Sequence, residues 1–242
     1  MNRIGRAGLL ILLGMITASL LWTGEFGSFV QQRMFYPLVA ATVVLVVFGL
    51  YELATGTLEA LRSPETQRVS VGPVVGWMLM LPLLVLMAVA PTDLGAAAAD
   101  RAEAFTPAQT TSKYPPIDDI AGPVEMRVYD FVDRAIWDSD ESLAGVTIRL
   151  EGLVVNDTDA PDGFDLTRFM VSCCAADGVP LQVRLHGTGE QLPDDTWVVV
   201  DVTWRRPAVP YRESSGDTVI EADTVSITVM PEAPDDPYES PY

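Results

Sequence analysis

The hydrophobic pattern changes period twice along the chain. Three apolar stretches come first, at about Ala7–Trp22, Tyr36–Leu53 and Val74–Ala90. A membrane-crossing helix needs roughly 20 mostly apolar residues, with about 17 as the lower bound. The second and third stretches meet that bound; the first is short unless Phe26, Phe29 and Val30 carry it past Glu25. Arg3 and Arg6 precede it as in a signal peptide, but Leu21-Trp22-Thr23-Gly24-Glu25 has no small-residue cleavage site, so a retained helix is expected. Gly8, Gly14, Ala18, Gly72 and Gly76 are small positions where helices would approach closely. Glu52 falls at the end of the second stretch, and no Lys, Arg, Asp or His sits at the centre of any of the three. That pattern favours anchoring or helix association over an ion path.

From Pro91 to about Asp119 the run Ala96–Ala99 and the Thr110-Thr111-Ser112 and Pro115-Pro116 segments read as a spacer. An amphipathic helix is expected from Pro123 to Trp137. There Val128, Phe131, Val132, Ala135 and Ile136 form one stripe, and Pro123 suits the first turn. After Gly145 the period becomes two. Val146, Ile148 and Leu150 make one half-buried strand, and Phe169 and Val171 a second. Val179, Leu181, Val183 and Leu185 make a third, Val198, Val200 and Val202 a fourth, and Val225, Ile227 and Val229 a fifth. Turn chemistry separates them at Asn156-Asp157, Pro161-Asp162-Gly163, Gly187-Thr188-Gly189 and Pro193-Asp194-Asp195. The expected architecture is a membrane α-helical block of three spans plus an all-β, OB-like small barrel with one preceding helix, able to cover an open end. The expected boundaries are a helical block over 1–92, a linker over 93–118 and an acidic domain over 119–242.

Charge sharpens this division. The chain carries 33 acidic and 15 basic residues, yet the first 90 contain five arginines and four glutamates. Nearly all the net negative charge therefore lies in the second half. Such a surface does not release phosphate counterions, so nucleic acid is excluded as a partner. Arg3, Arg6, Arg62 and Arg68 flank the spans on one side against Arg33 on the other. The positive-inside rule then puts the N-terminus in the cytoplasm and, with three spans, the acidic domain outside a cell membrane.

Chemistry-bearing residues are few. The chain has two cysteines, Cys173 and Cys174, adjacent in sequence, and one histidine, His186. Neighbours in a strand point to opposite faces, and a vicinal disulfide needs a distorted backbone. Three readings stay open for the pair: burial of one thiol, capture of a soft metal ion with Asp177, His186 or a partner as third ligand, and a labile disulfide. A soft metal ion is the one cofactor these residues bring into view. No phosphate loop, nucleophile elbow or spaced carboxylate pair is present, so no enzyme activity is expected.

The run Leu166-Thr167-Arg168-Phe169 through Cys173-Cys174-Ala175-Ala176-Asp177, with Asp195-Thr196-Trp197-Val198 downstream, resembles the YcgQ-type family. Pro91-Thr92-Asp93-Leu94-Gly95 followed by Ala96–Ala99 resembles it too. These proteins are subunits of a two-component membrane permease. The resemblance implies a multi-span permease as partner, lipid around the helices, and an accessory role for this chain. It also marks Cys173, Cys174, Asp177 and Arg168 as positions that would meet a ligand or metal. Many members carry a His-rich loop between the second and third spans, whereas Thr55–Gly72 contains no histidine here.

Overall fold

The structure is a computed structural model describing residues 3–62, 94–109, 114–117, 122–157, 162–189, 191–208, 211 and 219–240. It divides into two compact units, 1–93 and 94–242. The expected third span, Val74–Ala90, lies outside the described residues, as do Gly72, Gly76 and Thr110–Ser112.

In the first unit, α1 (Arg3–Thr23) and α2 (Phe35–Arg62) form a helical pair. Their 21 and 28 residues correspond to about 32 and 42 Å of helix, against a hydrocarbon thickness of about 30 Å. Among the described residues, these two helices are long and apolar enough to cross a membrane. The first therefore outruns its apolar stretch at both ends. The seam between them is made of small residues. A Cβ on Gly14 would lie 2.7 Å from Val46 Cγ2, and one on Gly49 would lie 2.7 Å from Ile11 Cγ1. Thr42 Oγ1 donates to Thr17 Oγ1 at 3.0 Å. Thr42, Gly49 and Gly56 are all buried and recur every seven residues, the spacing of a left-handed crossing. Gly14 is thus on the seam as expected, while Gly8 has open space beside it and Ala18 is exposed. Glu52 is followed by ten further helical residues rather than ending the helix. Val43, Val44, Val47, Phe48, Leu50, Tyr51 and Leu58 stay exposed on α2, as suits a surface solvated by lipid or covered by another helix.

The second unit begins at Leu94, inside the stretch whose composition reads as a spacer. Its short helix α3 (Ala96–Ala99) is fixed by a hydrogen bond from the Ala96 amide to Asp195 Oδ1, 2.6 Å long. Strand β1 (Val124–Glu125) follows, where Pro123 led to the expectation of a helix start. The helix α4 (Val128–Trp137) starts later, and all five residues of its predicted stripe are buried. Its first two amides, on Val128 and Tyr129, donate to the two carboxylate oxygens of Glu239, each at 2.8 Å. A residue over a hundred positions away thereby supplies the N-cap that Arg127 cannot.

Five longer strands are β2 (Thr147–Val155), β3 (Gly163–Met170), β4 (Val179–His186), β5 (Trp197–Trp204) and β6 (Ile220–Val229), and β7 (Tyr238–Glu239) is a two-residue strand. Among the described residues the seven strands form one mixed sheet in the order β1-β2-β5-β6-β4-β3-β7. An additional β2–β3 pairing makes the five longer strands a ring. Strand β2 pairs β5 along Thr147–Leu153 and then β3 from Leu153 to Val155. Gly152 sits where the strand passes from one neighbour to the other. A Cβ there would lie 2.8 Å from the Thr167 carbonyl oxygen and 3.0 Å from Leu166 Cγ, so the close approach requires glycine. The β4–β6 contact is parallel and the other contacts around the ring are antiparallel.

The alternating patterns of β2, β4 and β5 place Ile148, Leu150, Leu181, Val183, Leu185, Val198, Val200 and Val202 in the main core, all fully buried. The α4 stripe joins the same core. One expected pattern is corrected. On β6, Val225 and Val229 are exposed, and Ile220 and Ala222 are the buried pair. The ladder pairs Asp201 with Ser226 and Val202 with Thr224, leaving Val225 as the extra residue of a bulge. A one-residue bulge shifts the inward phase of a strand, so the two ends follow opposite alternations.

Candidate functional site

The β3–β4 connection holds the candidate site. Val171, fully buried, anchors the end of β3, and its amide donates to the Glu239 carbonyl at 2.9 Å. The chain then surfaces at Ser172 and Cys173, turns through a 3-10 segment (Ala175–Asp177), and re-enters the sheet at Val179. Behind the turn, Leu94 approaches Gly178 so closely that a Cβ there would lie 2.4 Å from Leu94 Cδ1. Leu94, Ala96, Ala98 and Ala99 join Val171, Phe169, Leu153, Val155, Trp197 and Tyr238 in a second apolar cluster. The loop is therefore braced from below by the segment Leu94–Ala99.

Asp177 closes the loop. Its Oδ1 accepts from the Ser172 amide and its Oδ2 from the Cys173 amide, both at 2.9 Å. The two thiols are free, with the sulfurs 3.8 Å apart, well beyond a disulfide bond of about 2.05 Å. Ligand atoms of Cys173, Cys174 and Asp177 lie within 4.8 Å of one another, as a three-residue group able to hold a metal ion. The hydrogen bond to Asp177, then that to Cys174, pushes the Cys173 thiol up to about 11. Partial burial works to raise Asp177, but the Cys173 thiol and the amides of Cys173 and Ser172 outweigh it, holding the carboxyl below its usual range. At neutral pH the resting site is thus a protonated Cys173 thiol beside an ionised carboxylate. Such a thiol is a slow nucleophile, and its reactivity calls for a proton acceptor or a cation.

Arg168, the fourth residue marked by the sequence, is not in that group. It is nearly buried on β3, donates from NH1 to Glu151 Oε1 at 2.6 Å, and stacks over Trp197 with Cζ 5.1 Å from the ring centroid. Another of its nitrogens donates to the Asp236 carbonyl. It ties β2, β3, β5 and the C-terminal segment together. His186 ends β4, 3.2 Å from Glu221 Oε2 on β6. It borders a cavity of about 710 Å³ that also touches Arg205 and Asp223, and it is not part of the thiol group. Glu239 is the residue that the sequence reading missed. Burial raises its pKa, against the Tyr129 and Val128 amides, Arg168 and Arg127, which work the other way. Nothing local in Tyr238-Glu239-Ser240 signals a helix cap.

No curated protein matches the chain. Among solved structures, a chain from Leishmania major Friedlin assigned as an aspartyl-tRNA synthetase aligns at 14% identity and a TM-score of 0.25. That alignment covers 48% of this chain and 22% of the other. A TM-score so low establishes no common fold. Residues 123–238, which hold α4, the ring of strands and the thiol loop, match the family model of the DUF1980 C-terminal domain.

Proposed function

We propose that this protein is an accessory subunit of a membrane permease complex. In this reading α1 and α2, with the Val74–Ala90 stretch, cross the cell membrane and dock the permease. The strand ring is an OB-like small barrel with α4 over one end, held outside the membrane. Its Cys173-Cys174 loop contacts substrate or partner. The observation that carries the reading is a pair of apolar helices with an exposed outer face, joined in one chain to a DUF1980-matching domain. A two-helix seam built on Gly14, Gly49 and Thr42 leaves the larger apolar side chains of α2 free for another helix, which is what an accessory subunit needs. Affinity purification of the tagged full chain from gently solubilised membranes, with mass spectrometry of its companions, is the test. A stoichiometric multi-span permease is the expected result. A chain that emerges alone while other membrane complexes survive would defeat the proposal.

A second reading is favoured by the thiol group alone. Two free sulfurs beside a carboxylate on an exposed loop would serve a membrane-tethered thiol module that acts without a permease.

A further inference from the structure

We infer that Cys173, Cys174 and Asp177 form a three-ligand site for a thiophilic divalent d10 cation, the zinc and cadmium class, with the fourth coordination position open to solvent. Geometry carries this. With metal–sulfur bonds of about 2.3 Å, a sulfur separation of 3.8 Å corresponds to a bite angle of about 111°, close to tetrahedral. Adjacent residues rarely bring two sulfurs to one side, because side chains alternate in extended backbone. Here the chain leaves β3 at Met170 and turns through Ala175–Asp177, and the two sulfurs converge.

The third ligand is already in place. Asp177 is fixed by the Ser172 and Cys173 amides, one to each oxygen, and each carboxylate oxygen retains a lone pair for a cation. Bracing by Leu94 at Gly178 and by buried Val171 fixes the loop before any ion arrives. Cys173 and Asp177 are exposed and Cys174 partly so, so an ion can enter and the fourth position faces water. Closed structural zinc sites use four protein ligands; three with an open position leave the ion able to take water or a further ligand. The donor set also selects. Two sulfurs favour soft and borderline ions over magnesium and calcium, which the acidic surface attracts only diffusely.

The inference rests on the loop being a working site and needs no permease, so its failure and that of the subunit reading are separable. The test is a titration of the reduced, detergent-solubilised full chain with Cd²⁺, followed by sulfur-to-cadmium charge-transfer absorption and repeated with Zn²⁺ as competitor. The expected result is a band that saturates at a single ion per chain, persists in excess Mg²⁺ and is displaced by Zn²⁺. Cys173→Ser and Cys174→Ser should each abolish it, and Asp177→Asn should weaken binding by ~10-fold or more. Tryptophan fluorescence of each variant, to which Trp137, Trp197 and Trp204 of the second unit contribute beside Trp22 and Trp77, checks that the fold is kept. Absence of the band in the reduced wild type, or its survival without either thiol, would overturn the inference.

Discussion

Truncating Phe131 to alanine is expected to remove a large share of the stability of the strand domain. The ring is fully buried on α4 and lies in the same core as Ile148, Leu150, Leu181 and Val200. Phe→Ala in such a site costs about 3–5 kcal/mol, because the lost transfer energy adds to the cavity left behind. Domains of this size hold only about 5–15 kcal/mol in total. Denaturant unfolding of the full chain in detergent, read by tryptophan fluorescence, should show the midpoint falling steeply. A change under about 1 kcal/mol would mean that α4 contributes little to the core.

The second large effect is electrostatic. Arg184 on β4 and Asp165 on β3 are direct cross-strand partners. The guanidinium reaches both carboxylate oxygens, Nε to Oδ1 at 2.9 Å and NH2 to Oδ2 at 3.0 Å. A further bond runs to Asp157. The side chains are only 15% and 7% exposed. Arg184→Met would leave the Asp165 charge enclosed without its partner, at a cost of about 3–5 kcal/mol. Replacing both, as Arg184→Met with Asp165→Leu, should recover most of that loss, because no buried charge then remains. If the single variant is as stable as the wild type, the pair carries no structural weight. If the double variant is no better than the single, packing rather than charge is responsible.

These two sites also show what the sequence made legible. The stripe containing Phe131 was readable because helical periodicity is local. The same holds for Val179 to Leu185 and Val198 to Val202, whose alternation directly records which side faces the core. Features that depend on distant residues were not readable. Pairing of β2 with β3 rests on Gly152 meeting Thr167 and Leu166, and a lone glycine in a strand does not say what it approaches. The bulge at Val225 is set by the ladder to β5, so a clean Val-x-Ile-x-Val alternation marked the exposed Val225 as inward and missed Ile220 and Ala222, although Ile227 does pack against the core. Strands β1 and β7 have two residues each, too few for any period to appear. Leu94–Ala99 read as a spacer because alanine carries no address; its place under the thiol loop depends on Asp195 and Gly178.

The site followed the same division. Cys173, Cys174 and Asp177 were found by residue type and by family resemblance, and the structure brings their ligand atoms together. Arg168 was marked by the same motif, yet its contacts with Glu151 and Trp197 make it a brace. A motif records that a residue is constrained and not whether packing or chemistry constrains it.

The placement of the thiol loop relative to the membrane bears most directly on the account, and the chain supplies its own probe. Its two cysteines are both in that loop, and Cys173 is exposed. Intact cells expressing the native chain would be treated with a membrane-impermeant maleimide, alongside permeabilised cells under identical conditions so that the slow protonated thiol is normalised. Labelling of Cys173 to the same extent in both samples is the predicted result and puts the domain outside. Labelling only after permeabilisation would put the domain in the cytoplasm and contradict the account.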